Sequence, residues 1–459
     1  MNATKTMVNF CSKLSYKELP PDVVDRVKYF ALDFLGVAAR GSLTKSAEIV
    51  RNFAKDMAPT AKESVIIGSD IKSTCQYAAL ANGTASHSLE LDDVSNEASA
   101  HPGAVIFPAA LAISELTGCN GKRFIEGVVL GYEVMVRLGK ALNPVNHYAR
   151  GFHPTGTCGA FGAAIAASKI LKLDAEQMLS ALGIVGSQAA ASMEFLTNGA
   201  WTKHLHPGWA AHSGIIATLL AKRGFVGPST IIEGQSGFLH AYSDDSDVGK
   251  FLAGLGDHFE IMRVSVKPHA CCRYKQGPID CILKIMSENK LRAEEIEKVT
   301  LGILKAAFPI IVEPKELKYN PRSVVDAQFS MPFGAAVAIL HGRASLDEYI
   351  VDNLGSPKVK EMMGKVYCVP DAELDRLYPK QWPASAEIAT KDGRRFYTRI
   401  EYPKGDPENP LSREELIQKF DELCSPVFSE DRRRKIISKV SSLETEESIS
   451  NLAILLSAS

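Results

Sequence analysis

The chain has few of the features that announce a cofactor. None of its nine cysteines (Cys11, Cys75, Cys119, Cys158, Cys271, Cys272, Cys281, Cys368 and Cys424) forms a Cys-x-x-Cys pair, which excludes zinc ribbons and dithiol redox sites. Their odd number and low density do not make a disulfide scaffold and suit a reducing cytosol. No His-Glu-x-x-His occurs, no Gly-x-Gly-x-x-Gly follows a strand, and no glycine-lysine pair precedes serine or threonine. The commonest signatures of zinc hydrolases, dinucleotide binders and P-loop enzymes are therefore missing. An aconitase-like iron–sulfur cluster needs three placed thiolates, and only Cys271 and Cys272 are close in sequence. Charge of one sign is also lacking. A net charge of −1 gives no electrostatic reason to expect nucleic acid or a membrane surface, so an anionic ligand must be met by local cations. The first residues hold no continuous apolar run, so neither a secretory signal nor a transmembrane span is expected and the protein reads as cytoplasmic.

What remains is a chain of 459 residues, longer than one hydrophobic core supports, so more than one domain is expected. Pro20-Pro21-Asp22 opens a helix whose apolar face is Val24, Val27, Phe30, Phe34 and Leu35. Helical texture continues to about residue 260, rich in small residues such as Gly156, Gly159, Gly162 and the run Ala189 to Ala191, which let helix backbones approach closely. The texture changes near Val264-Ser265-Val266-Lys267-Pro268. Val299, Leu301 and Ile303 alternate at a period of two, and Lys391-Asp392-Gly393 sits between two strand-like runs as a hairpin turn. A helix is expected from Met331 or Pro332 to Leu340, ending at Gly342. The proline- and glycine-rich stretch from Tyr402 to Pro410 reads as a linker, and Ser412 with Glu415 as a capping box for a last helical stretch. The expectation is a mainly α fold with a smaller α+β domain: residues 1–265 helical, 266–404 α+β, and 405–459 helices returning to the first domain.

The chemistry concentrates in a few places. His87-Ser88-Leu89-Glu90-Leu91-Asp92-Asp93, followed closely by His101-Pro102-Gly103, sets imidazoles and carboxylates at the edge of an apolar helix, where shifted acidities and acid–base chemistry arise. Phe152-His153-Pro154-Thr155, Trp201-Thr202-Lys203-His204-Leu205-His206 and Lys267-Pro268-His269-Ala270-Cys271-Cys272-Arg273 are comparable polar islands at element boundaries. Together they carry enough cations for a di- or tricarboxylate. Plainer roles stand beside these. His101 and His153 each precede a proline and serve equally well to orient a helix start, Asp92 and Asp93 to stabilise a helix N-terminus. Cys271-Cys272 fits packing better than nucleophilic chemistry. Metal ligation is the rival reading, by His204 and His206 with His212 or by His87 with Asp92, but such spacings alone are weak signals. No metal and no cofactor is the expectation by elimination.

These ordered blocks, with Asp326-Ala327-Gln328-Phe329-Ser330 and Gly405-Asp406-Pro407-Glu408-Asn409-Pro410, resemble the MmgE/PrpD family from the first helix to the last. That family contains 2-methylcitrate dehydratase, cis-aconitate decarboxylase and iminodisuccinate epimerase. The resemblance implies a helical domain built from both chain ends, a lid domain between them, a homodimer, and catalysis without metal or organic cofactor in a pocket between helical domain and lid. It places the catalytic groups at Glu90, Asp93, His101, His153 and Lys203, and substrate-binding groups at Lys267, Arg273, His204 and Gln328. Where the decarboxylase branch has threonine after the Asp-Asp pair and histidine in the lid block, this chain has Val94 and Ala270. The implied activity is therefore dehydration of a 2-methylcitrate-like hydroxy-polycarboxylate, with epimerisation of an amino- or hydroxy-dicarboxylate and cis-aconitate-type decarboxylation as alternatives, and a non-catalytic carboxylate-binding dimer behind them. All the reactions share a carbanion-like centre beside a carboxylate, which needs a base near the proton and cations on the carboxylate. His101 or His153 is expected to move the proton, the cations to grip carboxylates, and Glu90 or Asp93 to orient an imidazole.

Overall fold

The computed structural model describes residues 2–197 and 199–458. It is mainly helical, 59% helix against 9% strand. The chain divides into two units, one of residues 1–88, 92–264 and 412–459, the other of residues 265–411 together with Leu89–Leu91. Among the described residues no helix is long and apolar enough to cross a membrane.

The first unit is a set of packed helices: α1 (Pro21–Gly41), α2 (Cys75–His87), α3 (Gly103–Thr117), α4 (Gly121–Leu142), α5 (Pro154–Ile170) and α6 (Thr202–Lys222). Proline at the first position of α1 and α5 costs no hydrogen bond, because the first N–H groups of a helix have no partner inside it. Helices α3 and α5 are buried almost all round, which suits an interior position. Helix α6 packs on both α2 and α5, and α5 on α4. The crossing of α2 with α6 is a contact between backbones. A Cβ on Gly83 would lie 2.6 Å from the Cα of Gly208, and one on Gly208 would lie 2.2 Å from the carbonyl oxygen of Leu80. One turn beyond Gly83 stands His87, and one turn before Gly208 stands His204. This crossing therefore fixes the spacing of the polar residues at the two helix ends.

The run Ala189 to Ala191, expected to be helical, is not. The helix before it ends at Gly186, and the backbone carbonyls of Ala189 and Ala191 instead accept hydrogen bonds from the Tyr242 hydroxyl and the His153 N–H. Small side chains are needed there for another reason: a Cβ on Gly156 would meet the Cβ of Ala191 at 2.5 Å.

The second unit holds helices α7 (Gln276–Glu288) and α8 (Met331–His341) and strands β1 (Ile296–Ile303), β2 (Val366–Pro370), β3 (Ala384–Thr390) and β4 (Arg395–Ile400). The sheet order is β2-β1-β3-β4, with β1 and β2 parallel and the other pairs antiparallel. Gly393, at φ 88°, supplies the left-handed residue of the β3–β4 turn. Helix α8 begins where the Ser330 side chain accepts the Phe333 N–H and stops at Gly342, whose φ is 68°. Helix α7 covers one face of β3 and packs on α8. The last long helices begin with α9 (Arg413–Cys424), entered through the reciprocal Ser412–Glu415 capping box. Helix α9 packs on α1, so both ends of the chain share one core.

Leu89–Leu91 leave the helical unit to pack in the second. The Gln328 side-chain amide donates to the Leu89 carbonyl at 3.0 Å. Glu90 is held at φ 57°, a left-handed conformation that costs a non-glycine residue on the order of 1–3 kcal/mol.

Candidate active site

His87, the last residue of α2, is fully buried. Its Nδ1 lies 2.6 Å from Asp92 Oδ2, and the same oxygen lies 3.2 Å from Nδ1 of His101. His101 Nδ1 is also 2.7 Å from the backbone carbonyl oxygen of Asp93. A carbonyl can only accept, so His101 carries a proton on Nδ1, and the neutral form of this ring has its lone pair on Nε2. Its backbone N–H donates to Thr155 Oγ1 at 3.2 Å, which ties the main chain at His101 to the first turn of α5. The Asp93 carboxylate accepts the Tyr132 hydroxyl at 2.6 Å and the Gly103 N–H, the first of α3, at 2.8 Å. Burial pushes the Asp93 carboxyl up to about 7 against these donors. Asp93 thus anchors a helix start with its side chain and fixes the His101 tautomer with its main chain.

The imidazoles form an array. Ring centroids are 4.9 Å apart for His87 and His101, 5.8 Å for His87 and His153, and 5.3 Å for His153 and His206. His153 precedes Pro154 at the start of α5, and its Nδ1 lies 3.1 Å from Nδ1 of His206. Such a contact requires one nitrogen to donate and the other to accept, so the two rings hold complementary tautomers. Burial, followed by the neighbouring imidazoles His206, His87 and His101, holds His153 well below the ordinary histidine range. Burial lowers His87 as well, and it brings His204 and His206 to about 4, with the Lys203 ammonium adding to the effect on both. Lys203 is itself buried at the start of α6. His204 Nδ1 meets Ser46 Oγ at 3.1 Å, and that hydroxyl lies 3.2 Å from Ser88 Oγ beside His87. Among the described residues, His87 Nε2 is buried with no hydrogen-bond partner. A buried imidazole nitrogen without a partner is costly unless a ligand or ordered water meets it.

The helical unit thus brings Asp93, His101, His153, Lys203 and His204 together. The second unit holds Glu90, Lys267, Arg273 and Gln328. Lys267 Nζ lies 3.7 Å from Glu90 Oε2, both side chains nearly inaccessible. The Gln328 amide nitrogen contacts the carbonyls of Leu89 and Ala270, so it holds main chain. Arg273 contacts Asp406 Oδ1 at 2.6 Å, an oxygen that also accepts from Ser265, and lies over the Trp382 ring. Its charge is met by a carboxylate of its own unit. Sequence reasoning gave no individual role to His87, Asp92, Tyr132 or His206, although His87 and Asp92 lie in the block it marked for acid–base chemistry. The available signal was the density of the 87–93 block and the His204-x-His206 spacing, both of which point to ligation as readily as to acid–base work.

The ligation reading can be tested on distances. His87, Asp92 and His101 present ligand atoms within 4.8 Å of one another. Ligands about 2.0–2.1 Å from a tetrahedral zinc stand about 3.3 Å apart, whereas His87 Nδ1 and Asp92 Oδ2 are 2.6 Å apart, a hydrogen bond. His204, His206 and His212 do not converge: the first meets Ser46, the second His153, and the third stacks on Trp209. Cys271 and Cys272 are buried, and burial raises the Cys271 thiol, which disfavours the thiolate.

The MmgE/PrpD N-terminal domain matches residues 5–250, and the MmgE/PrpD C-terminal domain matches residues 269–445. The chain belongs to the MmgE/PrpD family. The cis-aconitate decarboxylase-like protein oryM of Aspergillus oryzae is 27% identical over 477 residues, covering 99% of this chain and 97% of its own. The cis-aconitate decarboxylase of Aspergillus terreus is 27% identical over 473 residues, covering 99% and 95%. The human cis-aconitate decarboxylase is 29% identical over 482 residues, covering 99% and 94%. The likeness to these proteins therefore runs through both units, and its level is that of distant relatives.

Proposed function

We propose that this MmgE/PrpD protein is a lyase that dehydrates a small hydroxy-polycarboxylate of the 2-methylcitrate kind. The observation that carries the reading is the opposite wiring of two neighbouring imidazoles. His101 is braced by acceptors at Nδ1, which leaves Nε2 as a base. His153 is braced by another imidazole, with which it shares a proton. Loss of water needs both a base and an acid. His101 Nε2 takes the proton from the carbon beside a carboxylate, the C–H electrons form the double bond, and the C–O electrons leave as hydroxide. The hydroxide receives a proton from His153 and departs as water. Lys203 supplies positive charge for a carboxylate on which negative charge builds. Asp92 and Asp93 position His101. These steps use side chains alone.

A second reading is favoured by the relatives, which are named cis-aconitate decarboxylases. Decarboxylation needs only one proton delivered to carbon, and buried Val94 stands where the resemblance sets threonine in that branch. Epimerisation, with proton removal and return on two faces, is the third. The test is incubation in deuterated water with citrate, 2-methylcitrate, aconitate and iminodisuccinate, read by NMR and by carbon dioxide release. A vinylic product without carbon dioxide is expected. Carbon dioxide release assigns decarboxylation, and exchange without either product assigns epimerisation. His153→Ala should lower turnover about 100-fold or more with an unchanged thermal midpoint, and unaltered turnover removes His153 from the scheme. A cytoplasmic homodimer is proposed with this reading. Ile49, Phe53 and Met57, about half exposed on one face of the helix Lys45–Met57, offer an apolar surface for it, and sedimentation velocity reads the assembly.

A further inference from the structure

An acid that protonates a leaving group must recover its proton in every cycle, and His153 is only 3% exposed. Among the described residues, its ring contacts are with His87, His101, Phe195 and His206. Of these, Phe195 and His206 also line an open cleft, and of the two only His206 can carry a proton. That cleft, of about 620 Å³, is walled mainly by Ala190, Ala191, Phe195, Leu205 and Trp209, and Glu194 and His206 are its titratable residues. The Glu194 carboxylate accepts the Thr197 hydroxyl at 2.9 Å at the surface. His206 therefore has one nitrogen against His153 and is also part of the lining of a water-accessible hollow.

We propose that His206 is a positioning residue that relays protons between the solvent of this cleft and His153. The inference rests on His153 being the acid of the proposed reaction. A cleft water gives a proton to His206 Nε2 and is left as hydroxide in the solvent, while the His206 Nδ1 proton passes to His153 Nδ1 and the His153 Nε2 proton passes to the departing hydroxide. Three N–H or O–H bonds form, three break, and both imidazoles end neutral with their tautomers exchanged. Once water has refilled the site, it gives a proton to His153 Nε2, the His153 Nδ1 proton returns to His206 Nδ1 and the His206 Nε2 proton to the cleft hydroxide. The hydroxide left in the site takes the proton that His101 removed from carbon, which restores the starting tautomers. Neutral rings suit such a chain, since each can give and take at once.

His206→Ala tests the relay, because it opens a gap the size of an imidazole next to the cleft. Turnover should fall about 100-fold and recover with added imidazole in a saturable manner that the wild type does not show. His206→Asn keeps a hydrogen-bonding group near His153 but cannot pass a proton, so it should be slow and insensitive to imidazole. The relay is overturned if His206→Ala keeps turnover within about threefold, or if its loss is not relieved by imidazole while circular dichroism and the thermal midpoint stay native. If His153→Ala retains turnover, the acid assignment fails instead, which separates the two ideas. A readout independent of substrate is the nitrogen-15 spectrum of the histidines. Wild type should show one protonated and one unprotonated Nδ1 for this pair, and two unprotonated Nδ1 atoms would also overturn the relay.

Discussion

Replacing Gly208 by alanine sets two effects of opposite sign against each other. In a helix interior alanine is better than glycine by about 1 kcal/mol, so the substitution would ordinarily stabilise. Here the new methyl would lie 2.2 Å from the Leu80 carbonyl oxygen, 2.8 Å from Thr84 Oγ1 and 3.0 Å from Thr84 N, where ordinary contact begins at 3.4 Å. The obstacle is backbone of α2, which no rotamer change can move. The cost belongs at the upper end of the overpacking range, about 3 kcal/mol, for a net loss of about 2 kcal/mol. At roughly 2–4 °C per kcal/mol the midpoint should fall by about 4–8 °C. Gly36→Ala is the matched control in the same unit, since its methyl would meet Phe420 and Leu423 at 3.4–3.5 Å. It should hold or raise the midpoint by up to about 4 °C. Scanning calorimetry of the three proteins decides the matter. A Gly208→Ala protein melting at or above wild type would refute the backbone contact between α2 and α6, and with it the account of what spaces His87 from His204.

Two other outcomes follow from the buried charges. Lys267→Met leaves the Glu90 carboxylate buried without the ammonium 3.7 Å away and should cost about 3–5 kcal/mol in urea unfolding; adding Glu90→Gln should return most of it, and a double variant no better than the single would show the pair is uncoupled. Asp93 is raised to about 7 by burial, so the folded chain binds a proton that the unfolded chain releases near pH 4, and the stability from this group is lost as pH rises from about 4 to 7. Asp93→Asn removes that dependence, so its stability relative to wild type should improve across the same interval and level off above it, and a difference that is flat with pH would contradict the assignment.

The elements written most plainly in the chain are those whose ends are set by local chemistry. Pro21 opens α1, Gly342 closes α8 in a left-handed turn, Asp392 and Gly393 turn β3 into β4, and Ser412 with Glu415 caps α9. Each depends on residues within a few positions of one another. What required coordinates was long-range. Strand β2 reaches the sheet edge by pairing with β1 more than sixty residues earlier in sequence, and Ala189 to Ala191 exchange helical bonds for partners at His153 and Tyr242. The polar blocks stood out as dense, but density does not say which oxygen meets which nitrogen. That Asp92 rather than Asp93 presents its carboxylate to two imidazoles, and that His206 meets His153, depends on the α2–α6 crossing and the α5 start.

Leu89–Leu91 carry a consequence for recombination. A chimera that exchanges residues 265–411 with those of a relative, as a naive cut at the chain boundaries would suggest, leaves behind three residues that pack in that unit. Glu90 and Lys267, and likewise Leu89 and Gln328, would then come from different parents, with the left-handed Glu90 supported by a foreign sequence. The inheritable module is discontinuous: a tripeptide plus a distant block, to be moved together or not at all.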